Sequence, residues 1–316
     1  MNEPAQFDEV WQRARQFFES LQSDPLGWLA LLASAALVLA IIALLAAAFA
    51  TLLRRQPIHL LAPPYWRWPD AVFVLLSCFT LEALTSMLLS QLELGAASAA
   101  VAALEQPPAL ARWLIDELRP LLFSARIVVH VLLRVGCVVA IFAALSLRNS
   151  ATSVLGLDRR LFGAGLRVGA LTYVCIVLPG WLVVSSSWTL VLELMGLRPE
   201  PQALAGIFIA AAAGDDHFLL VSLFCAGAVV APVFEEVVFR GLLFRSLTTA
   251  VGARPAVLIS SLVFTVVHVN LQASLPIFAI GCVLASLYHR TGNLWACITL
   301  HSIFNGVQFL LMWALV

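Results

Sequence analysis

The chain has 316 residues, 62% of them hydrophobic and only 11% charged, against roughly 45–50% apolar and about 25% charged in a soluble domain. That composition excludes an ordinary soluble enzyme. Eighteen basic and eighteen acidic residues cancel to a formal net charge of zero, so no long-range field attracts nucleic acid. The basic residues are all Arg, which leaves no Lys for Schiff-base chemistry. The six cysteines each stand alone in an apolar stretch and read as small buried hydrophobes rather than disulfides or a metal cage.

In chain order, residues 1–27 form an N-terminal tail without the basic-then-apolar layout of a signal peptide. Its Phe7, Val10, Trp11, Phe17 and Phe18 fit one face of an interfacial helix. A membrane helix takes about 20 mostly apolar residues. Eight segments qualify: 28–53, 71–92, 121–147, 168–194, 218–250, 255–270, 274–289 and 293–316. Residues 155–168, with Asp158, Arg159, Arg160 and Arg167 beside Leu161, Phe162 and Leu166, read as a short amphipathic helix on the cytoplasmic surface of the membrane. The fold class is therefore all-α, a polytopic membrane helix bundle of about eight transmembrane helices. Its organisation is a tail (1–27), N-terminal membrane helices (28–217) and a C-terminal core (218–316).

Short cytoplasmic loops retain positive charge. Arg54, Arg55, Arg67, Arg148, Arg159, Arg160, Arg167, Arg245, Arg254 and Arg290 fall on one side of the eight spans; Arg13, Arg15, Arg112, Arg119 and Arg198 fall on the other, among ten acids. The richer side reads as cytoplasmic, with both termini opposite. A multi-pass protein of the bacterial cytoplasmic (inner) membrane fits this pattern.

Ionisable groups inside membrane helices are costly and mark functional sites. The apolar run 231–241 is interrupted by Glu235, Glu236 and Arg240; His268 ends the sixth span; His301 and Asn305, four apart, share a helical face of the eighth. The third span carries Arg126, His130 and Arg134, also spaced by four, and Glu82 in the second span is the natural partner for one of these Arg. Depth follows from counting. From the turn near 251–254, Glu235 lies 15 residues and His268 14 residues along their helices, about 22 and 21 Å at 1.5 Å per residue. Counted from residue 293 on the same side, His301 lies about 12 Å and Asn305 about 18 Å deep. Two carboxyls, two imidazoles and an amide at one depth compose a hydrolytic site, with a base for water, proton shuttles and oxyanion donors. Glu236 and Arg240 face each other four residues apart as an internal ion pair, which leaves Glu235 to act. Arg126 and Arg134 form a basic face suited to a substrate carboxylate.

The ordered motifs Glu-Glu-x-x-x-Arg (Glu235, Glu236, Arg240), Phe-x-x-x-His (Phe264, His268) and His-x-x-x-Asn (His301, Asn305), with Tyr288 and the stretch 291–295, resemble those of the CPBP family of membrane proteins. That family comprises CAAX prenyl proteases of the Ras-converting type and Abi-like proteins. The resemblance covers roughly residues 218–305. It implies an intramembrane endopeptidase that hydrolyses a peptide bond near the C-terminus of a membrane-anchored or lipidated substrate. Glu235 and His268 would activate water, His301 with Asn305 would hold the oxyanion, and Glu236 with Arg240 would organise the site. The mechanism implied is either glutamate-type without metal or metal-dependent; no cofactor is assigned, and zinc, if used, would have Glu235, His268 and His301 as ligands. The alternative is a non-catalytic immunity or scaffold protein of the same fold. The expected partners are the lipid bilayer and a membrane-embedded or lipidated peptide, not nucleic acid.

Overall fold

The structure, a computed structural model, describes residues 64, 66–102, 119–147, 151–195, 197, 203–214 and 217–314, all within one compact unit, Leu53–Val316. The expected tail helix and the first span lie outside the described residues. Every regular element among the described residues is helical. In chain order they are α1 (Trp68–Ala102), α2 (Arg119–Ser146), α3 (Ala151–Leu155), a 3₁₀ turn (Arg159–Leu161), α4 (Phe162–Thr172), α5 (Leu178–Leu194), α6 (Ala203–Ala213), α7 (His217–Cys225), α8 (Ala231–Glu235), α9 (Arg245–Val251), α10 (Ala253–Val267), α11 (Ser274–Thr291) and α12 (Leu294–Ala314). Three π-helical segments, Tyr173–Val177, Ala226–Val230 and Glu236–Phe244, join successive α-helices into longer runs.

Five runs are long and apolar enough to cross a membrane: Trp68–Gln91, Arg126–Ser146, Ala151–Glu193, His217–Val251 and Leu294–Ala314. They correspond to five of the expected spans. The expected spans 255–270 and 274–289 are helices outside that set. α10 has 15 residues, about 22 Å at 1.5 Å per residue and short of a hydrocarbon core of about 30 Å. α11 carries His289 and Arg290 in its last turn. Segment 155–168 is not a separate surface helix. It passes through the 3₁₀ turn into α4, which continues as a membrane run, because Gly165 and Gly169 give its inner face no side chains and let it lie on α12. A Cβ at Gly165 would stand 2.6 Å from Trp295 Cβ, and one at Gly169 2.5 Å from the Ala296 carbonyl oxygen. This small-x-x-x-small spacing permits close helix approach in a bilayer. α6, which the apolar pattern did not set apart as an element, has only 11 residues.

Two of the π segments have a local cause. Tyr173–Val177 and Ala226–Val230 are each followed two residues later by proline, Pro179 and Pro232. Proline has no N–H for the residue four back and its ring crowds that carbonyl; an i→i+5 turn just upstream absorbs the mismatch without breaking the run.

The ends carrying Arg159, Arg160, Arg254 and Arg290 are fastened together. The Leu294 amide donates to the Gly156 carbonyl (3.1 Å), Tyr288 Oη to the Leu155 carbonyl (3.0 Å) and Asn293 Nδ2 to the Leu161 carbonyl (2.9 Å). Arg245 donates to the Val154 carbonyl, and Trp66 Nε1 to the Leu242 carbonyl at 3.1 Å. Gly156, at φ +71°, meets Gly292 so closely that a Cβ would overlap the Gly292 carbonyl oxygen, which fixes glycine there. The main core includes Leu155, Val237, Phe239, Phe264, Leu284, Leu294 and Leu300.

Candidate active site

Glu235 closes α8 and Glu236 opens the nine-residue π segment, every residue of which is buried. Adjacent residues on a helix diverge by about 100°, and the two carboxylates take different surroundings. Glu236 points inward. Its Oε1 accepts from Arg240 Nη1 at 2.7 Å and lies 2.8 Å from His301 Nδ1. Arg240 also reaches the Gly281 carbonyl with Nη2, at 3.5 Å. All three side chains are buried. An uncompensated charge there would cost several kcal/mol, so the pair is viable only as a pair.

Glu235 points the other way. Its Oε2 lies 3.8 Å from both His268 Nε2 and His301 Nε2, too long for direct hydrogen bonds. Glu235 Oε2 is buried and has no hydrogen-bond partner among the described residues. The tautomers follow from the opposite nitrogens. His268 Nδ1 lies 2.6 Å from the Phe264 carbonyl, which can only accept, so Nδ1 carries the hydrogen and Nε2 faces Glu235. His301 Nδ1, against the Glu236 carboxylate, is set the same way. His301 is thus clamped between the two carboxylates, one at each nitrogen.

The Phe264 ring underlies this group. The Arg240 guanidinium lies 4.4 Å from its centroid, and the His268 and His301 rings lie 4.6 and 5.9 Å away. Motif spacing marked Phe264 as part of a pattern but did not disclose this role; its signal is the four-residue spacing to His268, which puts both on one helical face. The Gly281 and Gly227 carbonyls, also in polar contact with the cluster, carry no side-chain signal in sequence.

The structure therefore brings together Glu235, Glu236, Arg240, His268 and His301. Asn305 sits one turn beyond His301 on α12, and its Nδ2 donates to the Gly227 carbonyl at 2.8 Å, in the π segment before Pro232. Arg126 and Arg134 stand along α2. Arg134 pairs with Glu82 (Nε to Oε1, 2.5 Å), as the opposite charges of the two spans suggested, and its guanidinium lies 5.6 Å from the Phe234 ring centroid. Arg126 Nη2 donates to Ser86 Oγ at 2.9 Å. The carboxylate beside Arg134 in this structure is thus the chain's own.

Among the described residues no three His, Cys, Asp or Glu side chains form a group arranged to hold a metal ion. Glu235 Oε2 and the His268 and His301 Nε2 atoms, 3.8 Å away, form a carboxylate flanked by two imidazole acceptors, able to take hydrogen bonds from one water.

Residues 217–307 match the family described as Type II CAAX prenyl endopeptidase Rce1-like. Over 78 residues the chain is 37% identical to "Putative membrane peptidase YdiL" of Bacillus subtilis (strain 168), a match covering 25% of this chain and 32% of that protein. The likeness thus spans about a third of the relative's length. No solved structure matches the chain. The family match falls on the C-terminal segment whose ordered motifs resemble the CPBP family, and both matches support that resemblance.

Proposed function

We propose that the chain is an intramembrane endopeptidase that hydrolyses a peptide bond near the C-terminus of a membrane-anchored or lipidated substrate. The observation that carries this reading is Glu235 Oε2, buried, unpartnered and facing two imidazole Nε2 atoms at 3.8 Å. A water seated against these three atoms donates one hydrogen to Glu235 and the other to an imidazole, which directs its lone pair at the substrate carbonyl. As the water oxygen bonds to that carbon, its proton passes to Glu235. When the tetrahedral intermediate collapses and the C–N bond breaks, Glu235 returns the proton to the leaving amine. His268 assists on the water. Asn305, one turn beyond His301 on α12, supplies the oxyanion donor, keeping a second amide hydrogen beyond the one given to Gly227, while His301 Nε2, an acceptor in this tautomer, holds the water with His268. Glu236 and Arg240 touch no reacting atom and position His301.

The family match of residues 217–307 supports the reaction class. The test is Glu235→Gln, which keeps shape and removes the base. Cleavage of a C-terminal lipopeptide by the purified variant falls by about 10²–10⁴-fold or more, the usual worth of a general base, while the helical content is retained. Wild-type turnover by this variant overturns the assignment.

A further inference from the structure

The hydrolytic group has a charged neighbour outside the matched segment 217–307. It belongs to α1 and α2, which pack on the Glu236–Phe244 π segment and on α8. Two polar rungs join these helices. Arg126 Nη2 donates to Ser86 Oγ at 2.9 Å, and Arg134 meets Glu82 with Nε to Oε1 at 2.5 Å and Nη2 to Oε2 at 3.5 Å. His130 lies one turn from each Arg on α2. Glu82 is placed by its own helix: Phe79, three residues earlier and so on the same face, meets Phe234 and Phe239 edge-on with ring centroids 6.3 and 6.1 Å away. The Arg134 guanidinium lies 5.6 Å from the centroid of that same Phe234 ring. Phe234 immediately precedes Glu235, and Glu235 is among the charges that act on Arg134.

Arg134 therefore stands between two carboxylates and bonds to one. The Glu82 and Glu235 side chains are 13% and 12% exposed and that of Arg134 27%, so all three charges are largely withdrawn from solvent. A charge so placed and left without a partner is costly, and a guanidinium on a long flexible stem moves to whichever carboxylate can meet its fork of donors. Glu236 is not on offer, since it is fully buried and held by Arg240 at 2.7 Å. Glu235 is, because its Oε2 has no hydrogen-bond partner among the described residues. With the charge at Glu82 removed, the bare acid nearest in the chain to the ring that Arg134 already touches is Glu235. An Arg134–Glu235 bond would occupy the oxygen that has to accept a proton from water.

We infer that Glu82 is a positioning residue for the hydrolytic group: by holding Arg134 on α1 it keeps that guanidinium off Glu235 and leaves Oε2 free for water. The inference rests on Glu235 as the base. Glu82 touches no reacting atom and acts through Arg134 alone, so its effect is conditional. A neutral side chain at position 82 harms the reaction only while a cation stands at position 134.

The test is a charge cycle in the purified full chain, read as kcat and KM for one C-terminal lipopeptide. Glu82→Gln lowers kcat by about tenfold or more, a share of the 10²–10⁴-fold that a general base contributes, with KM little changed. Adding Arg134→Gln to it recovers most of that loss, which a purely structural role for Glu82 does not predict. Glu82→Asp, whose carboxylate is one methylene further from Arg134, gives a smaller loss of the same kind and serves where Glu82→Gln does not accumulate. A second readout needs neither catalysis nor substrate. Dicyclohexylcarbodiimide, an apolar reagent that couples to carboxyl groups, modifies Glu235 in the wild type; mapped by mass spectrometry, that modification falls several-fold in Glu82→Gln and returns in the double variant. Wild-type kcat in Glu82→Gln, a double variant no more active than Glu82→Gln, or unchanged modification of Glu235 overturns the inference. If Glu235→Gln itself cleaves at the wild-type rate, the hydrolytic reading fails, while the carbodiimide comparison still decides whether Arg134 takes Glu235 once Glu82 is neutral.

Discussion

Glu236→Gln is the sharpest probe of how the site is held together. The wild-type carboxylate accepts from Arg240 at 2.7 Å and contacts His301 Nδ1 at 2.8 Å, with no solvent exposure. The amide can still accept with its oxygen, but it brings no charge, and Arg240 then lies 2% exposed with the Gly281 carbonyl at 3.5 Å as its other polar contact. Removing one member of a buried ion pair costs about 3–5 kcal/mol because the other charge is left uncompensated. Arg240→Met strands the carboxylate and costs a similar amount. The double variant Glu236→Gln/Arg240→Met removes both charges and recovers a coupling energy of about 1–3 kcal/mol, as expected for residues in direct contact. The assay is reversible unfolding by SDS titration in mixed micelles, with Glu235→Gln as the comparison. Among the described residues Glu235 has no ion-pair partner within hydrogen-bonding distance, so its substitution leaves stability near wild type. If Glu236→Gln is as stable as wild type, or if the two single losses simply add in the double variant, the Glu236–Arg240 pair is not what holds the site.

Three further outcomes follow from contacts elsewhere. His268→Ala, at the exposed end of α10, lowers kcat by about 10²–10⁴-fold with little change in unfolding free energy; a rise in KM alone would refute its role on water. Gly169→Val forces a side chain into a position where even a Cβ stands 2.5 Å from the Ala296 carbonyl oxygen and 2.8 Å from Thr299 Cβ, so α4 must leave α12, at an overpacking cost of about 1–3 kcal/mol or more; unchanged stability would show that this contact does not bind the helices. Arg134→Gln strands Glu82, and Glu82→Gln/Arg134→Gln recovers much of the loss in the same SDS titration; additivity of the two single effects would remove the pair from the account of how α1 and α2 are joined.

Depth counting located part of the site and failed instructively for the rest. Glu235 and His268 come out level because their helices share the turn at Gly252, and both approach each other in the structure. His301, counted about 10 Å shallower at the α-helical rise, nevertheless lies with Nε2 3.8 Å from Glu235 Oε2. The count assumed α-helical rise between Glu235 and Val251, whereas nine of those residues, Glu236–Phe244, are π-helical. A helix closed by i→i+5 bonds is wider and rises less per residue, which draws Glu235 toward the depth of His301. Hydropathy cannot register that, since the residues are equally apolar in either helix. It also missed the α4–α12 contact, because glycines contribute nothing to an apolar face and Arg159, Arg160 and Arg167 give the segment an amphipathic appearance. The pairing of Glu82 with Arg134 was legible because opposite charges inside a membrane have few alternatives.

The order Glu235 then Glu236 is itself a physical requirement of this arrangement. Two ionised carboxylates on consecutive residues in a low-dielectric interior would repel strongly if both were left bare. Arg240, one π turn along the same segment, meets Glu236 and not Glu235, so one charge is compensated within the helix before any other element docks. His301 then arrives from α12 and is oriented by the compensated carboxylate, which turns its remaining nitrogen to the bare one. Exchanging the roles would put the ion pair at the more exposed position and the unpartnered carboxylate at the fully buried one, where its desolvation has nothing to offset it. The neighbour that is held fast thus makes it feasible for the other to remain unpaired beside the path by which water reaches the site.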